Sequence, residues 1–469
     1  MKTVKKILFL ILLMMNFNIQ SQTESQEIVL KIIQKTYNAK DYKGFYKLLS
    51  PSFQKQMSSK NLSQFLSENI FKYFGNIKSI EFESEKEKTK QFKTELEKGT
   101  LDLFLLLNTE NQIESMTFLA HKDPIILKEK VFSDNKMSSN LDNIVDSIVK
   151  PFMRNSINSG MSISIIRNGR TTFYNYGEVI KGSKNLPNCE TIYEIGSISK
   201  TFTGFLLAQA ILDKKINLDD DIRKFLPENY INLEFENNPI RIKHLVNHTS
   251  TLPRIPLDLE KQPKFDSENP YLNYSKKMVL NYLKNYKMIS KSGITQEYSN
   301  FGLAILGIIL ENIYKKSYHE LLQNYITKPL KMSSTFENVP NSKKINFANG
   351  YDLKGLESKH WDMNHFVGAG GIKSTTTDMS IYLHQNIDEL NSKIKLSHEI
   401  TFSKDKTSSG FAWVINKTKE NNTFIWHNGG TGGFTSFCGF IKEKKCGIVI
   451  LNNSASNVDS IAISILKNL

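Results

Sequence analysis

The first third of the chain changes its apolar period from helical to extended. Ile28, Leu30, Ile32, Ile33 and Tyr37 fit one face of a helix. Asn38-Ala39-Lys40-Asp41-Tyr42 interrupts it. Phe45, Leu48 and Leu49 begin a second helix that Pro51 is expected to end, and Ser59-Lys60-Asn61-Leu62 opens a third that runs to Tyr73. From Ile77 the period falls to two. Ser79-Ile80-Glu81-Phe82-Glu83 alternates, Thr100 to Leu107 is an apolar run, and Ser115 to Ala120 is another. Glu83, Glu85 and Glu87 read as the solvated face of a strand and its turn. Helices followed by strands predict a small α+β domain over 23–122.

A polar stretch at 123–136 reads as a linker, and 137–469 reads as a second domain. Leu141 to Arg154 carries Ile144, Val145, Ile148 and Val149 on one helical face. Met161 to Ile166 and Thr172 to Tyr176 predict a hairpin around Asn168-Gly169, a strong turn pair. Phe202 to Leu212 is apolar on nearly all sides, which predicts a buried helix. Helices and long loops dominate 214–400. Strands return at Phe411 to Ile415, Thr423 to Trp426, Thr435 to Ile441 and Gly447 to Leu451, and a last helix spans Val458 to Leu466. Strands at both ends with helices between predict one sheet built from both ends of this domain.

Composition adds compartment and excludes some partners. The 469 residues carry a formal net charge of +14, with 39% hydrophobic and 23% charged residues, as expected of a globular protein. The charge is mostly lysine, and no zinc-finger, RNA-recognition or dense Arg-aromatic pattern accompanies it, so nucleic acid is not an expected partner. Lys2, Lys5 and Lys6 precede the apolar run Ile7 to Met15, which is too short to span a bilayer. Residues 1–22 read as a secretory signal peptide cut after Ser21, with an uncleaved anchor as the alternative and the only expected membrane contact. An exported protein, periplasmic or secreted, is therefore expected. Cys189, Cys438 and Cys446 are too few for a disulfide scaffold and read as free thiols with at most one bridge. The nine histidines show no metal-ligand spacing. His319-Glu320-Leu321-Leu322-Gln323 misses a zinc motif at its last position, so neither metal nor cofactor is expected.

The candidate chemistry lies at three places. Ser197 and Lys200 are three residues apart at the head of the buried helix, on one face. An amine held near a hydroxyl and partly desolvated can take its proton. The same spacing recurs at Ser52, Ser133, Ser147, Ser403 and Ser464. Only the copy at Ser197 follows a flexible Gly196 and precedes a buried helix. Tyr298-Ser299-Asn300 stands before the apolar helix Phe301 to Ile313. A tyrosine can relay protons if nearby cations lower its pKa, and an Asn can orient Lys200 or a substrate carbonyl. His427-Asn428-Gly429-Gly430-Thr431-Gly432-Gly433-Phe434 is a glycine-rich strand that lets another backbone or an extended substrate approach. His248, in Asn247-His248-Thr249-Ser250, reads as structural.

In this order the three pieces resemble the class C-like branch of the serine β-lactamase and penicillin-binding protein superfamily. That branch includes class C β-lactamases, D-alanyl-D-alanine carboxypeptidases, D-aminopeptidases and related esterases. His244 to Pro253, Gly350-Tyr351-Asp352, and Gly368 to Thr375 with Asp378 extend the resemblance from Leu141 to the end of the chain. It implies a β-lactamase-like fold, a five-stranded antiparallel sheet flanked by helices plus a helical lobe. It implies Ser197 as acylated nucleophile, Lys200 as its proton acceptor and Tyr298 as second acid/base group. Asn300, His427, Asn428, Gly429 and Gly430 would bind substrate, with the backbone N–H groups of Ser197 and Gly430 as oxyanion hole. His427-Asn428-Gly429 stands where β-lactamases carry Lys-Thr-Gly, and Lys291-Ser292-Gly293 lies on the wrong side of Tyr298 to serve. A histidine there resembles the peptidase and esterase members and ranks efficient β-lactam hydrolysis low. The small N-terminal domain resembles the nuclear transport factor 2-like group. The expected function is hydrolysis of a cell-wall peptide containing D-amino acids, with peptidoglycan as the candidate partner. A carboxylesterase or weak β-lactamase, acting on small esters or β-lactams, is the enzymatic alternative. A silent wall-binding or sensor protein is the other.

Overall fold

The computed structural model describes residues 27–121 and 126–469. The leader expected at 1–22 lies outside the described residues. The chain forms two compact units, 1–124 and 125–469.

In the first unit a helix covers 27–38, and its buried stripe is Val29, Ile33 and Tyr37. Ile28 and Ile32, expected on that face, are 57% and 37% exposed. Each precedes a stripe residue by one position, about 100° around a helix, so they fall off the narrow packed flank. Pro51 opens a helix rather than ending one. It takes the first position of Pro51–Gln56 behind the Ser50 cap, whose Oγ accepts from the Phe53 N–H at 3.2 Å, and there its missing N–H is not needed. The third helix starts at Ser59 and continues through a π-helical stretch, Phe65–Phe71, to Phe74. Four antiparallel strands follow in sequence order, β1 (Ile77–Lys86), β2 (Thr89–Leu96), β3 (Gly99–Leu107) and β4 (Ile113–Ala120). The sequence pattern does not predict β2. Its Lys90, Lys93 and Glu95 mask the alternation of buried Phe92, Thr94 and Leu96. Glu83, Glu85 and Glu87 are exposed, as expected.

In the second unit, the stretch read as a polar connection is pinned from residue 126 on. Leu127 bridges Asn155, Ser133 bridges Tyr176, and the Asp134 carboxylate accepts from Asn175 N–H at 2.8 Å and Asn175 Nδ2 at 2.6 Å. Helix α1 (Asn140–Arg154) begins with a capping box between Ser139 and Asp142. Strands β5 (Gly160–Arg167) and β6 (Arg170–Gly177) form the expected hairpin. Asn168 and Gly169 at its tip have φ of 52° and 73°, as a type I′ turn requires. The remaining strands of the sheet come from the other end of the unit: β7 (Phe402–Lys404), β8 (Thr407–Ser409), β9 (Val414–Lys417), β10 (Thr423–Gly430), β11 (Thr435–Ile441) and β12 (Cys446–Asn452). The order is β7-β8-β9-β10-β11-β12-β5-β6, antiparallel throughout. The five long strands, β10, β11, β12, β5 and β6, correspond to the expected five-stranded sheet. The three short ones extend its β10 edge.

Period-two alternation divides the core. Ile163, Ile165, Phe437, Ile448 and Ile450 face α1 and the last helix, α5 (Asp459–Leu466). Ile166, Cys438, Phe440, Val449 and Leu451 face the other way, into a larger core with α2 (Ser199–Leu212), α3 (Asn300–Tyr314) and α4 (Thr376–Ile387). Every α2 residue from Ser199 to Ala210 is buried. All three cysteines are free thiols, Cys438 and Cys446 buried on adjacent strands.

A β-carbon added at Gly204 on α2 would overlap the Phe411 carbonyl. Gly204→Ala therefore gains about 1 kcal/mol of helix propensity but forces a backbone shift. We expect net destabilisation of about 1–3 kcal/mol, read as a lower thermal midpoint. A raised midpoint would contradict this packing.

Candidate active site

A single turn of 3-10 helix, Gly196–Ile198, leads into α2 and carries Ser197 at its centre. Gly196 has φ +48°, a left-handed conformation that glycine adopts without strain. A β-carbon there would lie 2.5 Å from the Gly430 nitrogen, so the two backbones meet where only glycine fits. Ser436 on β11 fixes the approach from below, its Oγ donating to the Ile195 carbonyl at 2.8 Å. Ser199 Oγ accepts from the Ile372 N–H at 3.0 Å and anchors the start of α2.

Lys200 comes to the same point from one turn along α2. It is fully buried, and among the described residues no carboxylate pairs with it. Its Nζ is hydrogen-bonded to Ser197 Oγ at 2.9 Å and donates to the Ala369 carbonyl at 2.5 Å. Burial holds its pKa well below the usual lysine value, and the Arg254 guanidinium pushes in the same direction. An uncharged amine keeps a lone pair, and a hydroxyl at this distance can donate its proton to it.

Tyr298 completes the cluster from the loop before α3. Its hydroxyl is hydrogen-bonded to Ser197, and Lys200 Nζ lies 4.7 Å from its ring centre. Burial pushes the phenol up to about 12, against the opposing influence of the Ser197 hydrogen bond and Arg254. The condition that neighbouring cations lower it is therefore not met: desolvation of the phenolate outweighs Arg254, and Tyr298 stays a proton donor. His248 has the structural role expected of it. Its ring packs on Tyr298 at 4.5 Å, and its Nδ1 accepts from the Ser299 N–H at 3.1 Å. Ser299 caps α3, accepting from Gly302 N–H at 2.8 Å and donating to the Pro253 carbonyl at 2.7 Å.

Asn300 opens α3, its Nδ2 donating to the Tyr271 hydroxyl at 3.4 Å, while its buried Oδ1 has no donor among the described residues. His427 on β10 is buried on the site side, its ring 6.4 Å from that of Tyr298. Its Nδ1 donates to the Asn428 carbonyl at 2.6 Å, which leaves Nε2 as an acceptor in the neutral ring. Burial first, then Lys200, push its pKa down to about 4. Asn428 does not join the site through its side chain. Alternation along β10 turns it to the opposite face, where its Nδ2 donates to Asp459 at 2.7 Å. Gly429 lies against the Ile195 carbonyl and Gly430 against Gly196. Lys291 of the misplaced Lys-Ser-Gly string pairs instead with Glu236 at 2.9 Å.

Two contributors escape the sequence reading. The Ala369 carbonyl has no side-chain signature, although it lies in the Gly368-to-Thr375 string. Arg254 follows His244 to Pro253 directly, and its Cζ lies 5.0 Å from the Tyr298 ring centre. In the N-terminal unit, Glu83, Asp102 and His121 bring three potential metal-ligand atoms within 4.8 Å of one another. There Asp102 already accepts from His121 Nδ1 at 2.6 Å.

A model of the beta-lactamase family matches residues 145–465. Protein flp of Staphylococcus aureus (strain MRSA252) is 28% identical over 326 residues, 66% of this chain and 62% of that protein. The chain thus spans less than two thirds of that relative's length. Among solved structures, a class C beta-lactamase aligns over 72% of this chain and 98% of its own, with a TM-score of 0.63 and 25% identity. The beta-lactamase/D-alanine carboxypeptidase of Pseudomonas syringae aligns over 70% and 99%, with a TM-score of 0.62, and at 24% identity shares the fold.

His427 and His244 are both pushed down to about 4, mainly by burial, against about 6.5 in an unfolded chain. Between these values the unfolded state binds more protons, so stability rises with pH. Denaturant titrations should show stability falling as pH drops from about 6.5 toward 4, and His427→Gln should flatten part of that slope. Asp142 and Glu389, held down to about 2, act below this window. A flat profile would contradict buried neutral imidazoles.

Proposed function

This chain belongs to the beta-lactamase family, and on that premise we propose that it is an exported serine hydrolase acting through an acyl-enzyme. The observation that carries the proposal is the buried Lys200 amine, hydrogen-bonded to Ser197 Oγ and held by burial well below the usual lysine pKa. In the first step Ser197 Oγ bonds to the substrate carbonyl carbon as its proton passes to Lys200. The oxyanion lies between the N–H groups of Ser197 and Gly430, a role supported by the close approach of the Gly196 and Gly430 backbones. Tyr298, a neutral phenol, gives its proton to the leaving nitrogen or oxygen and regains one from Lys200. Water then attacks the acyl carbonyl by the reverse sequence and frees Ser197.

The substrate in this reading is an amide, a cell-wall peptide containing D-amino acids. Two buried acceptors support an amide over an ester. Asn300 Oδ1 has no donor among the described residues, and neutral His427 presents Nε2; a peptide supplies N–H groups for such atoms. The lysine-flanked apolar start and the net charge of +14 suit export toward an anionic wall. His427 stands where β-lactamases carry the lysine of Lys-Thr-Gly, a replacement that resembles the peptidase and esterase members, so β-lactam hydrolysis ranks behind peptide hydrolysis. The N-terminal unit, helices followed by an antiparallel meander, supports a nuclear transport factor 2-like accessory role in covering or binding.

Ser197→Ala should abolish turnover with the fold intact by circular dichroism. Lys200→Arg should lose about 10³-fold or more in kcat/KM, because a guanidinium does not give up its proton near neutral pH. Tyr298→Phe should lose about 10²–10⁴-fold. Ser197-independent turnover of a D-alanyl-D-alanine peptide would overturn the reading.

A further inference from the structure

Beside the active site stands one guanidinium whose N–H groups have no partner among the described residues. Arg254 is fixed through its backbone, its carbonyl accepting from the N–H groups of Asn300 at 2.9 Å and Phe301 at 3.2 Å. Its side chain is exposed and lies over the Tyr298 ring, whose hydroxyl reaches Ser197. Among the described residues it makes no hydrogen bond and no ion pair. Arg223 shows the contrast: its fork is closed by Asp221 at 2.6 Å and Glu234 at 2.9 Å. A guanidinium held over an aromatic ring gives up rotamer freedom while keeping its N–H groups open, which prepares it for a two-pronged bond to a carboxylate.

No other cation of the cluster can take that role. Lys200 is buried and committed to Ser197 and Ala369. Lys373 is buried and donates to the carbonyls of Glu337, Trp361 and Gly371. His427 occupies the place where a fixed lysine charge would stand, and its free nitrogen is an acceptor. We propose that Arg254 is a specificity-determining residue that holds a carboxylate of the substrate, so that the enzyme selects carboxylate-bearing peptides or esters. The proposal rests on the acyl-enzyme reading of Ser197.

The test compares matched esters. The first pair is the 4-nitrophenyl monoester of glutaric acid against 4-nitrophenyl butyrate, which places the carboxylate in the acyl half. The second is 3-carboxy-4-nitrophenyl butyrate against 4-nitrophenyl butyrate, which places it in the leaving half. For at least one pair, wild-type kcat/KM should favour the anionic ester. Arg254→Gln should reduce that ratio by about tenfold or more, Arg254→Lys should restore part of it, and added salt should lower it in the wild type. Ratios that stay the same in Arg254→Gln for both pairs would overturn the proposal. Ser197-dependent hydrolysis of the neutral butyrate by the wild-type enzyme reports on the acyl-enzyme reading separately, so the two can fail independently.

Discussion

The site depends on keeping a lysine uncharged inside the protein. Lys200 is fully buried, with a carbonyl and a serine hydroxyl as its hydrogen-bond partners and, among the described residues, no carboxylate paired with it. Desolvating an ammonium without a counter-ion is costly enough that the group gives up its proton instead. Arg254 adds to the effect. Neutral His248 and His427 fit the same pattern: their own protonation is suppressed chiefly by burial. The cluster therefore gathers two neutral imidazoles, a neutral phenol and an amine with a lowered pKa around one hydroxyl. Protons can move among them without separating large charges in a poorly solvated place.

The fold supplies this arrangement through two constraints on the backbone. The glycines at 196 and 429 let the start of α2 and the end of β10 touch, which sets Ser197 beside a strand. Alternation along β10 then decides which side chains enter. His427 turns to the site, and Asn428 turns to Asp459 and the opposite layer. The loop from His248 to Arg254 holds the other wall. It receives the Ser299, Asn300 and Phe301 N–H groups and supports Tyr298, with His248 packed on the ring and Arg254 over it.

Much of this was legible in the sequence because the relevant signals are local or ordered along the chain. The Asn168-Gly169 hairpin, the all-apolar α2 and the strands at both ends of 137–469 carry their own periodicity. The relation of Ser197 to Tyr298 and His427 was readable through the order of three motifs. What was missed is not local. Alternation would have shown that Asn428 and His427 face apart, had the strand been extended past Trp426 to Gly430. The charged residues of β2 hid its buried alternation, and Pro51 gives the same letter at a helix start as after a helix end. Ala369 acts through a carbonyl, which no residue type encodes. The pKa of Tyr298 follows from burial against charge, and composition does not show which is larger.

The central claim is that Lys200 is a neutral amine in the resting protein. Its titration can be followed by NMR in protein labelled at lysine 13Cε, with the signal assigned by its absence in Lys200→Arg. The account predicts a resonance that is already deprotonated at neutral pH and titrates well below the other lysines. A Lys200 signal that titrates with the surface lysines, near the ordinary value of about 10.4, would contradict it.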